Sequence, residues 1–165
     1  MSLWMAVGQR GNFLVMEYIN NLRKHVGNQP LIMVGSTVLV LDTQNRLLMM
    51  KRSESGNWGV PGGAMELGET TEETARRELF EETGLEVDEL TLFGVFSGSE
   101  LFYRYPSGEE VYNVSIVYLA HTDHDNVKLL DGEHYDFQYF ELAQIPENIS
   151  PPIKPILKKF LEASL

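Results

Sequence analysis

The sequence predicts an α/β domain, in which a mixed β-sheet carries helices on either side, from three observations. Apolar, β-branched segments bounded by turn residues recur both before and after the middle of the chain. Residues 71–83 contain no glycine or proline and predict one long helix. Near the end of the chain, apolar residues at helical spacing predict a closing helix. The 165 residues suffice for one domain with a full core, and no internal repeat divides them.

Residues 1–30 are predicted to be an N-terminal extension. From Met16 onward, apolar residues recur near helical spacing and predict a short helix: Tyr18, Ile19, Leu22 and Val26. Residues 1–15 have weak periodicity and a single charge, Arg10. We interpret this stretch as residues added by cloning together with a start assigned too far upstream, so that Met16 is the natural first residue.

Strand signals begin at Leu31. The apolar run LIMVGSTVLVLD is followed by the turn residues Thr43, Gln44 and Asn45, and RLLMMK over 46–51 completes a predicted hairpin. The turn Tyr105-Pro106-Ser107-Gly108 makes 101–121 a second hairpin. The remaining predicted elements are strands at 86–96 and 137–142 and an amphipathic helix over 152–161.

The central helix has clear start and stop signals. Thr70 and Glu73 have the spacing of a capping box, and Gly84 stands where a left-handed C-terminal cap is favoured. Just before the helix, Gly62 and Gly63 follow a proline and form a backbone that can bend sharply and approach a bound group closely. The sequence therefore predicts a glycine loop that leads into a capped helix.

Three carboxylates share one face of this helix. Glu78, Glu81 and Glu82 project into an arc of about 100°, where like charges repel unless a cation lies against them. Arg77 precedes Glu81 by four residues and is placed to orient a carboxylate, while Glu69 at the loop junction can reach toward the same ions. Oxygen ligands in this density predict a site for a hard divalent cation, Mg²⁺ or Mn²⁺.

The spacing of these residues resembles a complete Nudix box. Gly63 is followed after five residues by Glu69, and after seven more by Arg77-Glu78-Leu79; Glu81-Glu82 and Gly84-Leu85 complete the motif, each after one residue. Every defining position matches. The resemblance covers about residues 31–162 and implies an α/β/α sandwich, with 31–165 as a Nudix hydrolase domain.

The Nudix resemblance implies a hydrolase that cleaves the pyrophosphate link of a nucleoside diphosphate joined to another group. It assigns Glu81 and Glu82 as metal ligands and Glu78 as a ligand or as the base that deprotonates the attacking water. Glu69 is implied as a further ligand, and the carbonyl of Gly62 or Gly63 as another. Since the formal charge is -11, metal ions would have to invert the local sign before a polyanionic substrate could bind.

Outside the box, four residues are candidates for substrate contact. Lys51 and Arg52 end a strand before the glycine loop, where they either meet phosphate or are solvated strand-end charges. Tyr103 lies where some dinucleoside polyphosphate hydrolases of the family carry a tyrosine, although packing or nonspecific base stacking also fits an aromatic strand. Glu133 lies in a loop from which several Nudix enzymes supply a base or ligand; the alternative is an ordinary surface residue.

Composition excludes several other classes of site. There is no cysteine, which rules out disulfides and thiolate chemistry and suits a cytoplasmic location. No apolar run is long enough to span a bilayer, and no basic patch predicts nucleic-acid binding. The four histidines lack the spacing of a transition-metal site, so we expect surface roles for them.

The substrate is left open among three classes: a nucleoside triphosphate, ADP-ribose or a nucleotide sugar, and a dinucleoside polyphosphate. A non-catalytic Nudix-fold nucleotide sensor is the alternative function, disfavoured because the four box glutamates are present. Isomerase chemistry in the same fold would call for a cysteine that this sequence lacks. Small-molecule nucleotides are the expected partners, and a homodimer is the oligomeric form we consider.

Overall fold

The structure, a computed structural model, describes residues 18–124 and 126–164. The predictions for residues 1–15 lie outside this range. Within it, residues 18–26 are helical (α1), where the sequence predicts a short helix. The other helices are α2, Thr71–Thr83, and α3, Lys154–Ala163. The strands are β1 Leu31–Leu41, β2 Leu47–Arg52, β3 Trp58–Gly59, β4 Gly62–Ala64, β5 Thr91–Phe96, β6 Phe102–Arg104, β7 Glu110–His121 and β8 His134–Phe140.

The strands form one mixed sheet. Its main order is β3-β2-β1-β7-β5, while β4 pairs with β1, β6 with β7 and β8 with β2. The two long central strands, β1 and β7, run parallel from Leu31↔Val111 to Leu41↔His121, and the other pairs are antiparallel. Both predicted hairpins are present, β1 with β2 and β6 with β7.

Helices cover both faces of the sheet because β1 alternates between two cores. Val38 and Val40 pack with Ala75 and Leu79 of α2. The intervening Leu39 and Leu41 face the opposite way, into a second cluster with residues of α3 that include Ile156, Leu157 and Phe160. Apolar side chains on both faces of a central strand require cover on both sides. The fold is therefore an α/β/α sandwich, as predicted.

Element boundaries differ from the predicted ones in three places. The predicted strand 86–96 begins only at Thr91, because Leu85 and Val87 are buried beside α2 and Arg76 donates to the Val87 carbonyl oxygen at 2.6 Å. The predicted strand 137–142 begins earlier, at His134, which pairs with Arg52. The closing helix starts as a 3₁₀ turn, Pro151–Ile153, before α3 continues to Ala163.

Helix α2 is capped as predicted and anchored to the sheet at its first turn. The backbone N–H of Glu73 donates to Thr70 Oγ1 at 3.2 Å, and that of Thr70 donates to the Glu73 carboxylate at 2.7 Å. Gly84 closes the helix with φ 69°. Ser36 of β1 donates to the Thr71 carbonyl oxygen at 2.6 Å, which fixes the helix start against the sheet. None of the described helices has the length and apolar character needed to cross a membrane.

Candidate functional site

Arg77 is the centre of an ion-pair network that joins α2 to the preceding loop. Its Nε and Nη2 donate to the two Glu69 oxygens at 2.6 and 3.0 Å, and its Nη1 donates to Glu78 at 2.7 Å and to Glu81 at 3.2 Å. A further bond from Nη2 reaches the Ala64 carbonyl oxygen at 3.0 Å. The contact with Glu81 is the one expected from their four-residue spacing. Arginine suits this position because its planar group offers five donors.

Both carboxylate oxygens of Glu69 accept hydrogen bonds from Arg77. Its Oε2 also accepts hydrogen bonds from the backbone N–H of Glu66 and from the Thr74 hydroxyl, each at 2.9 Å. Burial raises the pKa of the Glu69 carboxyl, but the Arg77 hydrogen bond and these other donors outweigh burial and bring the pKa below its ordinary value. Glu69 does not line the acidic cavity described next. We therefore place Glu69 behind Arg77, and its expected role as a direct ligand stays a prediction.

One open cavity of about 250 Å³ is lined by three of the four box carboxylates: Glu78, Glu81 and Glu82. Asp131 and Glu133, from the loop that precedes β8, line the same cavity. The backbone N–H of Gly62 donates to Glu82 Oε2 at 3.2 Å, so the glycine loop holds one of these carboxylates directly. The fold thus brings together acidic side chains that are about fifty residues apart in the chain.

Burial makes these carboxylates hard to ionise. It raises the pKa of the Glu78 carboxyl to about 7, even though Arg77 acts in the opposite direction. The pKa of Glu82 lies well above its ordinary value because of burial and, second, the negative charge of Glu78. Burial also raises the pKa of Glu81. A cluster of this kind must either bind protons or bind a cation.

The residues present fit a divalent cation. Oε1 of Glu81 is buried and has no hydrogen-bond partner within the described ranges, although its side chain lines the cavity. A buried carboxylate oxygen without a donor is costly unless a cation satisfies it. Oxygen donors are the ligands that Mg²⁺ and Mn²⁺ prefer. Glu78, Glu81 and Glu82 are therefore the side chains suited to hold the ion.

Gly63 lets the backbone pass close to the carboxylates. It lies in β4, opposite Ser36 of β1, and a side-chain carbon at this position would collide with the Glu78 carboxylate. A side chain at this position would therefore displace the Glu78 carboxylate from its place beside Arg77. Gly62 and Gly63 both line the acidic cavity, so a carbonyl ligand from either stays a prediction.

The two predicted cations at the end of β2 have different surroundings. Arg52 lines the acidic cavity, and its Nη2 lies 3.7 Å from Oε2 of Glu133. Lys51 lines neither this cavity nor the second one described below; its ammonium lies over the rings of Trp58 and Tyr135, 5.5 and 5.6 Å from their centroids. Successive strand residues face opposite ways, which separates the pair. The expected substrate contact by Lys51 is not supported.

A second cavity, of about 180 Å³, adjoins the first. Tyr103 lines it together with Tyr105, and the two rings meet edge to face with centroids 4.9 Å apart. Apolar residues such as Leu101 and Ile156 and the polar Asn113 contribute other parts of the wall. Tyr105 and Arg52 line both cavities. Sequence reasoning singled out Tyr103 alone, although Tyr105 shares its strand face.

Sequence reasoning also missed His134. This side chain is 6% exposed, contrary to the surface role expected of the histidines, and its Nδ1 lies 2.7 Å from Oδ2 of Asp131. One ligand atom each from Glu82, Asp131 and His134 lie within 4.8 Å of one another. Alternation in HYDFQYF would turn Tyr135 inward with Phe137 and Tyr139, but the β2–β8 register shifts between Lys51 and Arg52 and brings His134 inward instead, which no local pattern predicts.

The chain resembles known proteins in both sequence and structure. The family model for the NUDIX domain matches residues 32–160. The oxidized purine nucleoside triphosphate hydrolase of Mus musculus is 38% identical over 111 residues, which are 66% of each chain. The ADP-ribose pyrophosphatase of Methanocaldococcus jannaschii is 32% identical over 111 residues, which are 66% of this chain and 62% of that one. The chain spans about half to two thirds of the length of the curated relatives it matches.

Solved structures agree with this match. The MutT NUDIX hydrolase of Burkholderia pseudomallei superposes with a TM-score of 0.64 at 28% identity, covering 79% of this chain and 97% of the other. The MutT protein of Methanosarcina mazei Go1 has a TM-score of 0.68 at 22% identity, covering 82% and 97%, and this likeness concerns the fold alone. Because the family model covers most of the sequence, the chain belongs to the Nudix family.

Proposed function

We propose that this chain is a metal-dependent hydrolase that cleaves the pyrophosphate bond of a nucleoside diphosphate linked to another group. One observation carries the proposal: an acidic cavity suited to cations adjoins a partly apolar cavity, and Arg52 and Tyr105 belong to both walls. A substrate with a charged diphosphate and a flat nucleoside would fill the two cavities at once.

Within this proposal, Glu81 and Glu82 hold Mg²⁺ or Mn²⁺, while Glu78 is either a further ligand or the base. Arg77 fixes the directions of Glu78 and Glu81. When bound, the ion neutralises charge on the diphosphate and lowers the pKa of the attacking water. Glu78, whose pKa burial raises to about 7, is suited to accept a proton near neutral pH. Glu133 lines the same cavity and is the second candidate for the base.

The nucleoside is assigned to the second cavity. Of the described residues that line either cavity, Arg52 is the only cation, so it is the side chain to meet a phosphate oxygen. Tyr103 and Tyr105 offer aromatic faces and edges to a base. Relatives named for oxidized purine nucleoside triphosphates, ADP-ribose and NAD-capped RNA support a nucleotide-type substrate and leave its second group open.

The test is a substrate panel with Mg²⁺ or Mn²⁺. It comprises ordinary and oxidized nucleoside triphosphates, ADP-ribose, nucleotide sugars, dinucleoside polyphosphates and an NAD-capped RNA, with phosphate, pyrophosphate and nucleoside monophosphate release measured. Glu78→Gln and Glu82→Gln should each lower the rate on any accepted substrate by at least about a hundredfold. Glu72→Gln, on the exposed side of the same helix, is the matched control. Turnover that survives both cavity substitutions would contradict the assigned roles.

The same panel separates the enzyme from a nucleotide sensor. Calorimetric binding of a nucleotide without any metal-dependent turnover would favour the sensor. Retention of Glu78, Glu81 and Glu82 around one cavity supports the enzyme instead, because binding alone does not require a buried acidic cluster. A cytoplasmic location and a homodimer stay expectations, which fractionation and sedimentation would test.

A further inference from the structure

We propose that Glu82, Asp131 and His134 form a divalent-cation position with one nitrogen donor, beside the acidic cavity that Glu82 and Asp131 line. This position favours a transition ion such as Mn²⁺ over Mg²⁺. The position rests on the proposed function only because it shares Glu82 with the box cluster. Its other two ligands are Asp131, from the loop before β8, and His134, the first residue of β8.

The three side chains are close together and shielded from water. One ligand atom of each lies within 4.8 Å of the other two. Glu82 and His134 are each 6% exposed, and the Asp131 side chain is 9% exposed. A metal that bonds its ligands at about 2.1 Å spaces them about 3–4 Å apart, so the widest separation in the observed group needs to close by about 1–2 Å.

Rigid backbone holds each ligand in place before any ion binds. Asp131 Oδ1 accepts hydrogen bonds from the backbone N–H groups of Glu133 and His134 at 3.0 and 3.3 Å, which fixes the turn. His134 begins β8 and pairs with Arg52 of β2. Glu82 lies on α2 and is held by the Gly62 N–H. Preorganisation of this kind is what a tight metal position requires.

Charge supplies an independent argument. Glu82 and Asp131 are two buried carboxylates whose negative charges disfavour each other. The positive charge of Arg52 counters that of Glu82, but Arg52 also lies 3.7 Å from Glu133. Asp131 Oδ2 and His134 Nδ1 lie 2.7 Å apart, where an ion would replace the proton that they share. A divalent ion would neutralise both carboxylates, and an imidazole donor among them favours transition ions.

Pulsed electron paramagnetic resonance of Mn²⁺ bound to the metal-free full chain tests this assignment. At less than one equivalent of Mn²⁺, the wild type should show the ¹⁴N coupling of a directly bound imidazole. His134→Asn should lose that coupling and weaken the tightest Mn²⁺ binding by about 10–100-fold, with Mg²⁺ affinity changed by less than about threefold. His121→Gln, at the exposed end of β7, should keep the coupling.

The wild-type spectrum decides the question even where a variant fails to fold. Absence of nitrogen coupling, or absence of Mn²⁺ binding at millimolar concentration, would overturn the proposal. Asp131→Asn offers a second variant, and unchanged Mn²⁺ affinity in both folded variants would also overturn it. Pyrophosphate hydrolysis without nitrogen coupling refutes this inference alone. Nitrogen coupling without hydrolysis of any substrate refutes the proposed function and leaves the cation position standing.

Discussion

Replacing Glu78 by glutamine should stabilise the metal-free protein at alkaline pH while it abolishes hydrolysis. Glu78 is buried among other carboxylates, and burial raises the pKa of its carboxyl to about 7 in the folded protein, against 4.5 for an ordinary glutamate. Between these values the folded state holds a proton that the unfolded state has lost. The free energy of unfolding therefore falls as pH rises through this window.

The size of the effect follows from the two pKa values. A difference between about 7 and 4.5, at about 1.4 kcal/mol for each unit, gives about 3 kcal/mol of stability lost by pH 8. Glutamine is neutral at every pH, and its amide oxygen can still accept the Arg77 hydrogen bond that Glu78 accepts at 2.7 Å. The variant should therefore lack this loss without a new cavity, and the Arg77 N–H keeps its acceptor.

Urea unfolding in EDTA at pH 5.5 and pH 8 measures the difference. The wild type should lose stability between the two pH values, and Glu78→Gln should lose less and exceed the wild type at pH 8 by about 1–3 kcal/mol. Glu82, whose pKa is also raised, leaves the variant some pH dependence. Glu72→Gln should follow the wild type. A variant that is less stable than the wild type at pH 8, with an unchanged pH dependence, would refute the electrostatic account.

Three further predictions concern the same site. Arg77→Lys, which cannot bridge three carboxylates, should lower kcat by about a hundredfold with little change in KM; a normal kcat would contradict the orienting role. Gly63→Ala should lower kcat at least about tenfold with a native circular dichroism spectrum, and full activity would show that Glu78 moves aside freely. Tyr105→Ala should raise KM for nucleotide substrates about tenfold, whereas a change confined to kcat would remove Tyr105 from the binding wall.

The sequence predicts the fold well where periodicity and turn chemistry agree. The hairpin from Leu31 and the capped helix Thr71–Thr83 satisfy both criteria, and both are present. The predicted strand 86–96 starts too early because short apolar runs can also be buried outside a sheet. Leu85 and Val87 do so beside α2, with the Val87 carbonyl satisfied by Arg76, a contact no local pattern predicts.

Within the site, the sequence identifies which residues gather but not how each one points. The box spacing indicates Glu69 and Glu78 equally, yet only Glu78 lines the acidic cavity, because Arg77 and Thr74 engage Glu69 first. Neighbouring residues of a strand point to opposite faces of the sheet, so the side chains of Lys51 and Arg52 lie on different faces of β2. His134 depends on a shift in the β2–β8 register and on a strand that starts three residues earlier than the predicted one.

The arrangement around Arg77 makes the site epistatic. One guanidinium shares its five donors among the loop carboxylate Glu69, the helix carboxylates Glu78 and Glu81, and the Ala64 carbonyl oxygen. Loss of any one acceptor frees a donor for the others, so the effects of single substitutions overlap and do not sum. A substitution at Glu69 would therefore change the effect that a later substitution at Glu78 has on activity. The loop and the helix are thus expected to evolve together.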